Sequence, residues 1–171
     1  TLTGVKDFSV NTGGFLSATN SSLSIAGNFT GDGPVSAASS SLTVTDGCST
    51  NSSQLSGKLQ FQNLILQSSV GKPFTLAANT TLTITGTLRL IGTPGQPVIL
   101  NGLSGARIIL MPGSNVVTVD AIISAPIEHR TPTIVAVPTM SSLGLLLMVI
   151  SLLSSAIFTY RNIQPSVKND S

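Results

Sequence analysis

Along the first 125 residues, apolar side chains alternate with hydroxyl-bearing ones in short runs, each interrupted by Gly, Asn, Asp or Pro. Alternation at period 2 between turn formers is the pattern of half-buried strands, so this stretch predicts a succession of short β-strands. The runs also resemble one another. FLSATNSSLSIAG (Phe15 to Gly27), PVSAASSSLTVTDG (Pro34 to Gly47) and PFTLAANTTLTITG (Pro73 to Gly86) share an apolar residue, small and hydroxyl residues, a Leu-x-(Ile/Val) pair and a turn. The pairs are Leu23/Ile25, Leu42/Val44 and Leu82/Ile84, spaced 19 and then 40 residues apart, which reads as one step and then two. Leu59/Phe61 or Leu64/Leu66 falls where the intermediate copy is due, and Leu88 to Leu90, Val98 to Leu100, Ile108 to Leu110 and Val116 to Val119 continue less regularly.

A period of about 20 residues that contains only strands and turns predicts an all-β, parallel β-helix or solenoid, in which each coil buries its apolar face only against a neighbour. Inward positions would then stack Leu over Leu while Ser and Thr face water. An evenly spaced β-sandwich is the alternative fold. The segment TGTLRLIGTPGQPVIL (Thr85 to Leu100) resembles, in texture, secreted bacterial β-helix proteins.

The pattern changes near residue 126. TPTIVAVPTM (Thr131 to Met140) is proline-punctuated and extended. LGLLLMVISLLSSAIFTY (Leu143 to Tyr160) holds no charge, and as a helix it would be roughly 27 Å long, close to a bilayer's hydrocarbon thickness. The polar tail RNIQPSVKNDS ends the chain. The expected organisation is a solenoid-like extracytoplasmic region over 1–125, truncated at its start, a proline-containing linker over 126–142, a single transmembrane helix over 143–160 and a cytoplasmic tail over 161–171. Arg161 and Lys168 follow the span and satisfy the positive-inside preference.

Composition narrows the function classes. Only 8% of the 171 residues are charged, against roughly 25% in an average soluble domain. With 41% hydrophobic residues, wholesale disorder is excluded. The net charge of +2 comes from scattered residues and gives no phosphate-binding footprint, so nucleic acid is not an expected partner. Polarity comes instead from 25 Ser and 20 Thr, a composition suited to sheets and turns. The lone Cys48 allows neither an internal disulfide nor a cysteine-rich zinc site.

The most specific motif is VPTMSSLG (Val137 to Gly144), followed by the apolar span and then by basic residues. This order resembles the C-terminal sorting signals of Gram-negative bacteria, particularly the IPTL-CTERM type, a cousin of PEP-CTERM. Pro138, Thr139, Ser141 and Gly144 match that motif, and Val137 and Met140 replace its Ile and Leu conservatively. Ser142 and Leu143 depart from its usual Glu and Trp, and Arg161 stands alone where family tails carry an Arg cluster. The resemblance implies recognition by an exosortase-like sorting protease, transit through the inner membrane, and a final location in the envelope, at the surface or outside the cell.

Candidate chemistry is sparse. Asp7, Asp32, Asp46, Asp120, Glu128 and Asp170 include no two within seven positions, so neither paired glycosidase carboxylates nor a calcium-binding cluster is legible. His129, the only histidine, reads as a solvated linker residue, and GDG (Gly31 to Gly33) reads as a turn. No catalytic, cofactor-binding or metal residue is assigned. The expected function is a non-enzymatic structural or adhesive passenger of the cell surface, with the membrane, the sorting protease and a surface polysaccharide as partners. The alternative is the C-terminal part of a larger polysaccharide-acting β-helix enzyme whose catalytic residues lie upstream.

Overall fold

The computed structural model describes residues 1–47 and 51–131. In chain order the strands are β1 (Leu2–Val5), β2 (Phe8–Val10), β3 (Leu16–Ser17), β4 (Ser22–Ile25), β5 (Phe29–Val44), β6 (Ser53–Gln67) and β7 (Pro73–Leu76). They continue as β8 (Thr81–Ile84), β9 (Thr87–Ile91), β10 (Val98–Gly102), β11 (Arg107–Leu110), β12 (Asn115–Val119), β13 (Ala121–Ile123) and β14 (Ile127–His129). Every pairing between them is parallel, and together they wind a β-solenoid of about five turns. No described residue is helical. The solenoid expectation holds, and the sandwich alternative does not.

Three faces run the length of the coil, and on each the inward positions stack in register. The first face stacks Leu2, Leu23, Leu42, Leu64, Leu88 and Val116. On the second face, Phe8, Phe29, Leu55, Leu76 and Gly102 form one ladder, and Ser53, Phe74, Leu100 and Ile123 form another. The third stacks Leu16, Val35, Leu59, Leu82, Ile108 and Ile127 beside Ala37, Phe61, Ile84, Leu110 and His129. Most of these apolar side chains are fully buried in one continuous core. Each buried Leu or Phe contributes roughly 1.5–3 kcal/mol through area removed from water. Phe29 stacks on Phe8 at 5.2 Å between centroids and meets Phe61 edge-on at 5.5 Å, filling the coil interior from two faces.

The expected repeat needs one correction. Leu42 is followed on its ladder by Leu64, whereas Leu82 stacks on Leu59, so Leu42/Val44 and Leu82/Ile84 lie on different faces. Both suggested intermediate pairs are real, one for each ladder. All three faces require the same apolar-x-apolar pair, and all corners use the same small and polar residues. A segment displaced by one face therefore reads like a true repeat. Coil length also varies, from 19 residues between Leu23 and Leu42 to 28 between Leu88 and Val116. His129, expected in a linker, instead closes β14 opposite Leu110, so strand pairing extends past residue 125.

Side-chain hydrogen bonds join neighbouring coils at the corners. Asp7 Oδ1 accepts the Asn28 amide at 2.6 Å, and Asn28 Oδ1 accepts the Gln54 amide at 2.8 Å one coil later. Asp46 Oδ2 accepts the Ser69 amide and hydroxyl at 2.7 and 2.8 Å, and Asn63 Oδ1 accepts the Thr87 amide at 3.0 Å. Side-chain oxygens thus satisfy N–H groups where the chain turns and where strands begin.

The strand β5 bends through two corners, where its pairing with β6 is interrupted between Gly31 and Val35 and between Ala37 and Ser41 and then resumes. Gly57 makes the first corner possible: its φ is 102°, and a Cβ there would run into the Gly31 carbonyl of the coil below. Gly57→Ala is expected to lose about 1–2 kcal/mol from backbone conformation alone, plus the clash. Gly95→Ala, at φ 78° with no atom near its Cβ, should lose only the conformational part, and urea denaturation of both variants checks the difference. Ser53 Oγ is buried without a partner opposite Phe74, so Ser53→Ala should raise stability by about 1 kcal/mol in the same assay.

Candidate functional site

The outer side of the third face forms an open groove of about 1060 Å³. It begins at the corner between the second and third faces, lined there by Gly31, Asp32, Gly33 and Gly57. Because strand residues alternate in direction, inward Leu59, Leu82 and Ile108 leave Lys58, Thr81 and Arg107 facing out as register partners on successive coils. Lys58 and Arg107 are two coils apart, about 10 Å at the usual strand spacing. A second outward row runs Gln60, Thr83 and Ile109, with Glu128 at its end outside the lining. Ile109, only 5% exposed, lies at the floor. Arg130, whose amide donates to the Leu110 carbonyl at 2.9 Å, adds a third cation just beyond β14.

Among the described lining residues Asp32 is the one carboxylate, so these residues hold no carboxylate pair of the glycosidase kind. Among the described residues, no carboxylate forms an ion pair with Lys58, Arg107 or Arg130. Strand N–H and C=O groups of β8 and β11 are engaged from coil to coil, so along these strands the groove presents side chains. Sequence reasoning did not join these cations, because Lys58 and Arg107 become neighbours only through coil register. Their shared position, immediately before an inward Leu or Ile, is the signal that could have found them.

A second hollow, of about 260 Å³, opens at the first coil and is lined by Leu2, Phe8, Leu16, Leu23 and, deeper, Phe61. It is the incompletely filled interior of the solenoid's first coil, and Leu2 stands half exposed at its rim.

Lys72 presents a different arrangement, at a corner between the first and second faces. Its side chain is buried, and Nζ donates to the Ala26 carbonyl at 2.8 Å and to the Thr45 and Asp46 carbonyls at 3.3 and 3.4 Å. Those acceptors end first-face strands on two earlier coils, so one cation stitches three coils together. The Phe74 ring lies 5.9 Å away. Desolvation pushes the amine below its ordinary pKa of 10.5, partly opposed by the charges of Asp46 and Asp7.

Among the described residues no group of three His, Cys, Asp or Glu side chains is placed to hold a metal ion. Asp32 and Asp46 occupy different corners of the coil, and His129 is exposed. Cys48, the motif residues Val137, Pro138, Thr139, Met140, Ser141 and Gly144, the span from Leu143 to Tyr160, and Arg161 and Lys168 all lie outside the described residues. Among those described, no helix is long and apolar enough to cross a membrane. Comparison with protein-family models, with curated proteins and with solved structures gives no match.

Lys72→Met removes the donor to three carbonyls and should cost about 1–3 kcal/mol, read by denaturant titration at pH 7. Because the folded-state pKa of Lys72 lies below its unfolded value, the unfolded chain binds more protons between the two. Folding stability therefore rises as pH climbs from the folded pKa toward 10.5. That rise should be present in the parent and absent from Lys72→Met; matching pH profiles would remove the assignment.

Proposed function

We propose that this chain is an exported bacterial envelope or surface protein, in which the β-solenoid is a non-enzymatic structural or adhesive passenger and the C-terminal segment directs sorting and anchoring. The observation that carries the reading is the order of three features: the VPTMSSLG motif, an uncharged 18-residue span, and the basic residues Arg161 and Lys168. A late apolar span halts translocation, which leaves whatever precedes it outside the cytoplasm.

The character of the solenoid supports a passenger role. Its coils are held by backbone rungs and buried aliphatic ladders, and its outer faces are dressed with hydroxyls and amides rather than ions. Pro138 and its neighbours would hold the sorting motif extended for an exosortase-like protease, and cleavage there would release or re-anchor the passenger.

Topology and processing are tested separately. In a Gram-negative host, with an export leader supplied and Cys48→Ser as background, a membrane-impermeant maleimide should label Thr12→Cys in intact spheroplasts. Ser166→Cys should be labelled only after permeabilisation, and the reverse pattern would sink the export reading. Where a sorting protease is co-expressed, mass spectrometry of the mature surface protein should find no peptide from RNIQPSVKNDS. Recovery of that tail would leave an anchored protein without processing.

A further inference from the structure

The groove on the third face has a charge and a chemistry that the passenger role does not use. Its lining holds three of the chain's eight Lys and Arg residues, Lys58, Arg107 and Arg130, and one of its six Asp and Glu residues, Asp32. The other described residues include three basic and four acidic ones, so the positive excess among the described residues sits in this one depression. The three cations are exposed. We infer that the groove binds a linear, carboxylate-bearing polysaccharide lying along the solenoid axis.

Three features select that ligand. Lys58 and Arg107 stand two coils apart in strict register along the axis, and Arg130 lies one coil further at the other end of the face, an extended spacing that suits a polymer with several anions rather than a compact anion. Between and around them lie Ser36, Ser56, Gln60, Thr81 and Thr83, whose hydroxyls and amides both donate and accept, as sugar hydroxyls require. Asp32 adds an acceptor for such hydroxyls.

Other polymers fit less well. A peptide recognised by strand addition needs a free backbone edge, and here the strand backbone is consumed by the coils above and below. Single-stranded nucleic acid needs aromatic platforms, and among the described residues no aromatic side chain lines the groove. With only three cations, the affinity depends on ionic strength and on several sugars binding at once. This assignment gives the surface reading a ligand class, but binding by purified protein can be measured wherever the protein resides.

The test uses the full chain in detergent micelles, titrated by calorimetry with a hexameric uronate oligosaccharide, a neutral glucan hexamer of equal length and a thymidine hexanucleotide. The uronate should bind, and the affinity should fall as salt is raised. Lys58→Gln combined with Arg107→Gln should weaken binding by about tenfold or more, since two charge-assisted contacts are lost. Lys6→Gln combined with Arg89→Gln removes the same charge from exposed sites outside the groove and should leave binding unchanged. Circular dichroism and melting temperature establish that both variants are folded.

Equal loss in the two double variants would overturn the site. Equal binding of the neutral glucan, preference for the hexanucleotide, or no uronate binding by the folded parent would overturn the ligand class. None of these outcomes bears on the maleimide-labelling pattern, so the ligand and the location stand or fall separately.

Discussion

The structure depends on one constraint: each strand must find its hydrogen-bonding partner in the coil below while its inward side chains land on those of that coil. Parallel rungs are evenly spaced, so a one-residue slip would turn an entire inward row outward. Leu23 over Leu42 over Leu64, and Leu59 over Leu82 over Ile108, satisfy backbone pairing and burial in the same register. Nothing in the core is specified by shape alone. Leu, Ile and Val stack on one another along the first-face ladder and the Leu59 ladder of the third, while Phe8, Phe29, Phe61 and Phe74 break the aliphatic pattern on the other rows.

Corners are where this regularity must be interrupted, and polar chemistry becomes specific there. A chain turning between faces leaves amide groups without strand partners, and the Asp, Asn and Ser side chains of an adjacent coil accept them. The hydroxyl-rich composition is thus partly structural as well as solvating. Lys72 reverses the arrangement by supplying protons where carbonyls from successive coils converge. Such a buried cation is tolerated because its three acceptors replace much of the water it gives up.

Fold class was legible because period-2 alternation between Gly and Asn punctuation has few solutions at this length. Which segment lay on which face was not legible, because PFTL and TLTI carry the same apolar pattern and only pairing distinguishes the second face from the third. Lys72 reads as an ordinary turn lysine in Val-Gly-Lys-Pro, and nothing local announces carbonyls contributed from residues 26 and 45. The groove was hidden for a related reason. Lys58 and Arg107 are 49 positions apart in the chain yet share one outward row, so their joint charge exists only in the folded register.

The unequal coil lengths have a consequence of their own. Because the ladders fix only the residues on the faces, chain can be added or removed at a corner without moving any buried side chain, as the step from Leu88 to Val116 shows against that from Leu23 to Leu42. The interior is conservative and the perimeter is free to vary. The solenoid thus separates a scaffold fixed by its ladders from a surface that can change one corner at a time, so new binding surfaces can arise without altering the fold.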